Sequence, residues 1–300
     1  MATIYSYTRD QLVERICKLI LHDWKEGTAT GGSTSTFVDT SRLEKDDYFQ
    51  NTTPPSRIRI RTTTDGAAPQ GEERELTDWV NSTWTGSVLP TFTVAPAAGD
   101  TYAILSEYTW DEVCEAINTA IDTVGKEALV PLVDENSVVL VSGVMEYPLP
   151  SGFIYVNRLT MSDENGDFDS REPIPSNSFV VVSSDVPKLS FIPFPIFQVG
   201  EDTYYGELWG ESDIAASRTL RVEGLARQAA LSSDLSLCSL NPNFVCYQAA
   251  ALLHLSRIRR GENDPDEHAV QYKLCQERAD IERAKTTAIN LPMNSKRVRF

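Results

Sequence analysis

The sequence is poor in cysteine and histidine, and neither residue type forms a recognisable site. The five cysteines are an odd number, lie far apart in 300 residues and include no CxxC pair, so a disulfide framework is not predicted. The three histidines, His22, His254 and His268, include no HExxH motif and no ligand pair four residues apart. We therefore expect reduced thiols, no metal ion and no other cofactor.

Long apolar runs and a basic surface are also missing. No window approaches the roughly 18 apolar residues of a membrane-spanning helix, and the amino terminus lacks the basic and apolar regions of a signal peptide. The 27 basic against 43 acidic residues give a net charge of −16. Because such a chain repels phosphate groups, we expect neither tight wrapping of duplex DNA nor binding to an anionic membrane.

The charge is unevenly distributed along the chain. Residues 241–300 contain ten bases and seven acids, and the last seven residues, Asn294–Phe300, contain three bases and no acid. An acidic body with a basic end is typical of a tail that docks on another molecule. The alternative is a frayed terminus. Removal of residues 291–300 is expected to leave folding intact.

Helix-starting signals occur near both ends of the chain. The capping box Thr8–Gln11 predicts a helix from about Arg9 to Trp24, and a second capping box, Thr109–Glu112, predicts a helix that Pro131 ends. Near the carboxyl terminus, Asn241-Pro242 and Asp264-Pro265 each place a capping residue before a proline, and they predict two helices joined as a hairpin.

The regions between these helices have the pattern of short antiparallel strands. Ile58 and Ile60 alternate with Arg57, Arg59 and Arg61, which predicts a strand with one buried face. The arginines indicate a solvated strand face or, alternatively, a contact with an acidic neighbour. Two further runs flank a turn and predict a hairpin: Thr91–Ala95 and Thr101–Leu105.

These elements predict an α+β protein, in which a helical hairpin or bundle core carries inserted antiparallel β modules that resemble a sandwich or barrel. The predicted segments are core helices in 1–26 and 108–131, a small β module in 27–107, an antiparallel β domain in 132–240, a helical hairpin in 241–290 and a basic docking tail in 291–300.

No motif in the sequence indicates catalysis. GxSxG, Walker and GxGxxG patterns are absent, so we do not predict an enzyme. Asp163, Asn165, Asp167 and Asp169 alternate as calcium ligands do, but the twelfth position is Ile174 rather than a bidentate Glu. A polar hairpin tip is the preferred interpretation of this segment.

The order of elements resembles the head–tail connector, or adaptor, proteins of tailed bacteriophages. The stretches that carry the likeness are Thr91–Asp100, Thr109–Ile121 and Ala249–Leu255 with the helix that follows Asp264. The resemblance implies a structural virion protein of the neck, assembled in the host cytoplasm. It implies a ring of subunits, dodecameric by analogy, that joins the portal protein to the tail tube, the nozzle or other tail proteins. DNA would pass through this ring without specific binding.

The resemblance also implies roles for two groups of residues. Family adaptors grip the portal with a carboxyl-terminal tail, which assigns portal docking to Lys296, Arg297, Val298, Arg299 and Phe300. The predicted acidic helix face would line the DNA channel through Asp111, Glu115 and Asp122; the alternative for these three is an ordinary solvated helix face.

Two other functions remain open at this stage. A tail or baseplate component that binds host glycans would be favoured by a groove lined with Trp79, Trp84 and Trp209. A hydrolase that acts on a cell-wall polymer would require several carboxylates in one cleft.

Overall fold

The fold is taken from a computed structural model. The structure describes residues 6–49, 52, 54–125, 127–141, 143–163, 165–168, 173–182, 184–192, 198–199, 202–203, 217–260, 265–286 and 295–298. The α-helices in these residues are α1 (Arg9–Leu19), α2 (Trp110–Val124), α3 (Pro242–Arg260) and α4 (Pro265–Thr286), and Asn81–Thr83 form a short 3₁₀ helix. The strands are β1 (Tyr7–Thr8), β2 (Lys25–Thr28), β3 (Gly31–Ser33), β4 (Thr36–Val38), β5 (Arg57–Thr62), β6 (Glu73–Val80), β7 (Thr85–Leu89), β8 (Thr101–Leu105), β9 (Leu129–Val139), β10 (Glu146–Pro148), β11 (Phe153–Met161), β12 (Phe179–Val182), β13 (Lys188–Phe191), β14 (Gln198–Val199), β15 (Asp202–Thr203), β16 (Thr219–Arg227), β17 (Leu237–Cys238) and β18 (Lys296–Arg297).

Strands, and not helices, dominate this architecture. The described residues contain eighteen strands and four α-helices, and every strand pair is antiparallel. The expectation of a helical hairpin or bundle core with inserted β modules is therefore wrong. The antiparallel nature of the sheets was predicted correctly. The physical reason for the error is that the strands of each unit bury an apolar core of their own, one in the seven-stranded sheet and one shared by two sheets.

The chain divides into two compact units. Unit 1 comprises the described residues of 1–124 and 230–286, and unit 2 comprises those of 125–229 and 287–300. Unit 1 contains all four helices. In the described part of the chain, none of the helices is both long and apolar enough to cross a lipid bilayer.

Unit 1 contains a seven-stranded sheet in the order β2-β8-β5-β6-β7-β4-β3. Its two outer strands follow each other in the chain, so the sheet curls around its own core. Ile58 and Ile60 are fully buried in that core, as their alternation predicts. Phe37, Trp79 and Tyr102 also lie there, with the ring centroids of Phe37 and Tyr102 5.1 Å apart.

The helices of unit 1 begin where the sequence predicts. The Thr8 hydroxyl accepts the Gln11 N–H and the Gln11 side chain accepts the Thr8 N–H. Thr109 and Glu112 form the same reciprocal pair at the start of α2. At the start of α3, the Asn241 side chain accepts the backbone N–H of Asn243.

Unit 2 contains two larger sheets that share a core, which is the arrangement of a β-sandwich. Their orders are β10-β13-β12 and β18-β11-β16-β9. Gly224 lies in the inner strand β16, where a Cβ would come within 2.0 Å of the Tyr155 carbonyl oxygen. Any larger residue at this position would therefore push two paired strands apart.

Candidate functional site

The acidic face of α2, defined as Asp111, Glu115 and Asp122, is the predicted site that the structure brings together. All three side chains are exposed on one side of the helix. The opposite side of α2 is buried, with Val113 and Ile117 fully inaccessible. The helical spacing of four and seven residues places the three carboxylates in one stripe.

This acidic face is not used to hold unit 1 together. Within the described residues, none of its three carboxylates forms a hydrogen bond or an ion pair. Asn118, on the same side of the helix, instead binds the backbone of Leu231 through both its amide oxygen and its amide nitrogen. The negative charge is therefore available to a molecule outside the chain.

A cleft of about 520 Å³ lies on strands β5 and β6 and reaches Asp111. It contains Arg57, Arg59, Arg74 and four carboxylates, so its charges have both signs. Burial raises the pKa of Glu73, whose Oε1 accepts the Trp110 N–H at the first residue of α2. This carboxylate therefore holds the start of the acidic helix against the sheet.

A hydrolase would require several carboxylates in one cleft, and this cleft contains four. Glu72 is held by the Arg74 guanidinium at 2.6 Å and also accepts the Thr93 N–H. Glu73 is occupied at the start of α2. Two of the four carboxylates thus have structural partners, whereas glycoside hydrolysis needs a facing pair with separate acid and base roles.

Arg59 of β5 has an acidic partner, so the preferred interpretation of a solvated arginine face is wrong for it. Its Nη2 lies 2.7 Å from Asp234 Oδ2, and Arg9 binds the other oxygen of Asp234 at 2.7 Å. The Arg59 guanidinium also lies 4.4 Å from the centroid of the Trp110 ring. This contact joins α1, β5 and the segment before α3.

Arg61 also binds carboxylates of its own unit and does not lie on a solvated face. Its guanidinium binds both oxygens of Asp10 and the carboxylate of Glu14 on α1, and it lies over the Trp24 ring. The alternative that the arginines bind an acidic neighbour is therefore correct for Arg59 and Arg61. Neither partner could be identified from the strand pattern, because both lie far away in the sequence.

The described part of the predicted docking tail is a strand of unit 2. Lys296 and Arg297 pair with β11, and the Val298 N–H donates to the Ile154 carbonyl. Val298 is only 4% exposed and belongs to the core of unit 2. Removal of residues 291–300 would take Val298 out of this core, so the structure favours a loss of stability of unit 2 over the expectation that folding stays intact. Arg299 and Phe300, the other two predicted docking residues, lie outside the described residues.

Trp79 does not line a surface groove for a glycan, and the turn at Asp163 fits the preferred interpretation of a polar hairpin tip. Trp79 is fully buried and donates its indole N–H to the Glu44 carbonyl, Trp84 is 40% exposed, and Trp209 lies outside the described residues. The Asp163 carboxylate accepts the backbone N–H groups of residues 165 and 167, and Asp169 lies outside the described residues. Among the residues that the structure describes, no cluster of three or more His, Cys, Asp or Glu side chains could hold a metal ion.

Two histidines, one on α3 and one on the next helix α4, meet between these helices. The Nδ1 atoms of His254 and His268 lie 3.1 Å apart, and the Tyr108 hydroxyl lies 3.4 Å from the same nitrogen of His254. On the other side, His268 Nε2 is 3.5 Å from Glu107. One Nδ1 must carry hydrogen while the other accepts it, so this pair cannot be doubly protonated without losing its contact.

Acidification is expected to destabilise unit 1 through this pair. Burial, and then His268, lower the pKa of His254 to about 4 from 6.5. Because the unfolded chain binds more protons between these values, the free energy of unfolding falls as the pH drops from 6.5 towards 4, by about 3 kcal/mol. Urea unfolding of the native chain and of His254→Gln at several pH values measures this contribution as their difference. Burial raises the pKa of Glu107, so protonation of this carboxyl adds stability as the pH falls. Because Glu107 is present in both proteins, its contribution cancels in their difference. The prediction is contradicted if the difference in free energy of unfolding between the native chain and His254→Gln does not change with pH.

The five cysteines are all buried and free.

No protein-family model matches the chain. A search of curated proteins also finds no match. Any functional assignment therefore rests on the residues of this chain and their geometry.

Proposed function

We propose that the chain is a structural subunit of the connector between the head and the tail of a tailed bacteriophage. In this proposal it assembles as a ring on the portal protein, continues the DNA channel and meets the tail tube or nozzle on its other side. The observation that carries the proposal is the acidic face of α2, which is exposed and has no internal partner within the described residues.

The physics of this face suits passage of DNA rather than its capture. Carboxylates repel the phosphate backbone and provide no counterion-releasing contact, so a duplex moving past them is not retained. A ring multiplies three carboxylates per copy by the number of subunits. The protein then acts in the virion neck after assembly in the host cytoplasm.

Reversal of the charge on the acidic face of α2 is expected to make this surface bind duplex DNA. The variant Asp111→Lys/Glu115→Lys/Asp122→Lys should bind duplex DNA at low salt, with an affinity that falls steeply as salt rises, and particles that carry it should eject DNA slowly. Filter binding and time-resolved ejection measure these effects. A control with the same charge change at the exposed Asp65, Glu146 and Asp185 should eject DNA at the native rate.

Two results would reject the proposal. In the first, electron microscopy and co-sedimentation show no ring on the portal protein. In the second, the α2 variant and the control variant affect ejection equally, so that only the net charge matters and not its position on α2.

A further inference from the structure

Helix α4 carries its large apolar side chains on its outer side. Val270, Leu274 and Ile281 are 57%, 51% and 53% exposed. The buried residues of the same helix are Cys275 and Ala279, which face α3. With about 3.6 residues per turn, the spacing of four and seven residues places the three aliphatic side chains in one stripe, opposite the buried side.

Such a stripe has the properties of an interface. Single exposed apolar residues are normal on soluble proteins, but several large aliphatic side chains along one helix face indicate a surface that another molecule covers. The spacing of Val270, Leu274, Glu277 and Ile281 alternates between four and three residues, which is the seam spacing of a two-helix coiled coil.

The charges beside the stripe are arranged by position along the helix. Lys273 and Asp280 lie seven residues apart on one flank, and Glu277 lies between Leu274 and Ile281 at the edge of the stripe next to that flank; all three charged residues are exposed. Within the described residues, Lys273 and Glu277 form no ion pair although they are four residues apart. The Asp280 carboxylate accepts a hydrogen bond from the Gln276 amide at 3.2 Å.

This pattern is complementary to itself in one orientation. If a second α4 lies antiparallel across the stripe, Lys273 of each copy meets Glu277 and Asp280 of the other, and Val270 meets Ile281. If it lies parallel in register, opposite flanks of the two helices meet, and Lys273 of each copy faces the exposed Arg278 of the other. Like charges across an interface are unfavourable, so the arrangement selects the antiparallel orientation.

We infer that the outer face of α4 is a homodimer interface, and that its occupant is α4 of a second copy of this chain, antiparallel to the first. The contact is isologous, so both copies use the same residues. One helix face per copy is smaller than a standard protein interface, and we expect a dissociation constant on the order of 10–100 μM. The inference does not depend on the proposed function.

The first test compares two valines with the same exposure. Val270 on α4 and Val186 in unit 2 are both 57% exposed. Sedimentation velocity of the full chain should show a dimer that increases with concentration. Val270→Asp should weaken it at least about tenfold, whereas Val186→Asp should not change it. Circular dichroism should report native helix content for both variants, because neither side chain belongs to a core.

The second test determines the orientation. Chains with Lys273→Cys and chains with Asp280→Cys are mixed and mildly oxidised; the native cysteines are buried. Antiparallel packing yields a disulfide-linked dimer in the mixture and little in either protein alone. Lys273→Glu alone should weaken dimerisation about tenfold, and Lys273→Glu/Glu277→Lys/Asp280→Lys should restore it.

Three results would overturn the inference. One is a monomer at all concentrations up to about 0.5 mM, well above the expected dissociation constant. Another is a dimer that Val270→Asp leaves unchanged, which assigns the contact to a different surface. The third is a mixture of the two cysteine variants that cross-links no better than either variant alone, which shows that Lys273 and Asp280 of the two copies do not meet.

Discussion

Asp234→Asn is expected to lower the free energy of unfolding of unit 1 by about 2–3 kcal/mol. Asp234 is bound by two guanidinium groups, Arg9 and Arg59, whose side chains are only 15% and 11% exposed. The asparagine has the same shape but no charge, so two poorly solvated cations lose their counterion. Removal of one partner from a buried ion pair costs about 3–5 kcal/mol, and the 30% exposure of Asp234 reduces this.

The electrostatics of this site support the direction of the effect. Burial opposes ionisation of Asp234, but the hydrogen bonds and charges of Arg59 and Arg9 outweigh it and hold the pKa of the carboxyl below its usual range. Urea unfolding near neutral pH measures the loss. Asp122→Asn, an exposed carboxylate in the same unit, is the control and should change stability by less than about 0.5 kcal/mol. Equal losses in the two variants would contradict the assigned role of Asp234.

Helix starts could be predicted from the sequence because they depend on neighbouring residues. The capping pairs of Thr8 and Thr109 involve side chains three residues apart, and both form as expected. The ends of the helices could not be predicted from the sequence. Helix α1 ends at Leu19 and not near Trp24, because β2 already begins at Lys25, as an edge strand of the sheet in unit 1. A tertiary pairing thus determines where the helix ends.

Strand positions were predicted better than strand partners. Thr101–Leu105 is a strand, but it pairs with β2 and β5, and Thr91–Ala95 is not a strand. The predicted hairpin is therefore wrong. Pro131 was expected to end a helix; it lies instead in the edge strand β9, where a missing N–H is tolerated. Alternation shows which face is buried, but it contains no information about which strand lies alongside.

The candidate sites show the same limit. The acidic face of α2 follows from helical spacing alone and could be predicted. The contact of His254 with His268 depends on how α3 packs against α4, and the contact of Arg59 with Asp234 joins residues 175 apart in the sequence. Nothing in the local sequence indicates either contact, since any chain with many acids and a few histidines offers numerous possible pairs.

Val298→Asp is expected to have the largest effect on unit 2, with a loss of about 3–4 kcal/mol in its free energy of unfolding. Val298 is 4% exposed, lies in the core of the unit and is held there by a backbone hydrogen bond to Ile154. A carboxylate at this position loses the apolar contacts and is buried without a partner. Hydrogen exchange should show faster exchange in β11, the strand that pairs with the tail.

The same segment allows the structural and docking roles of the tail to be separated. Arg297 is exposed, so Arg297→Ala should leave the stability of unit 2 within about 0.5 kcal/mol of the native value. If the tail docks on the portal protein, this variant should still weaken co-sedimentation with the portal. Val298→Ala should instead lower stability by about 1–2 kcal/mol, because it leaves a small cavity in the core. Native stability of Val298→Asp would show that the tail does not depend on its place in the core of unit 2, and the tail would then be free to bind another molecule.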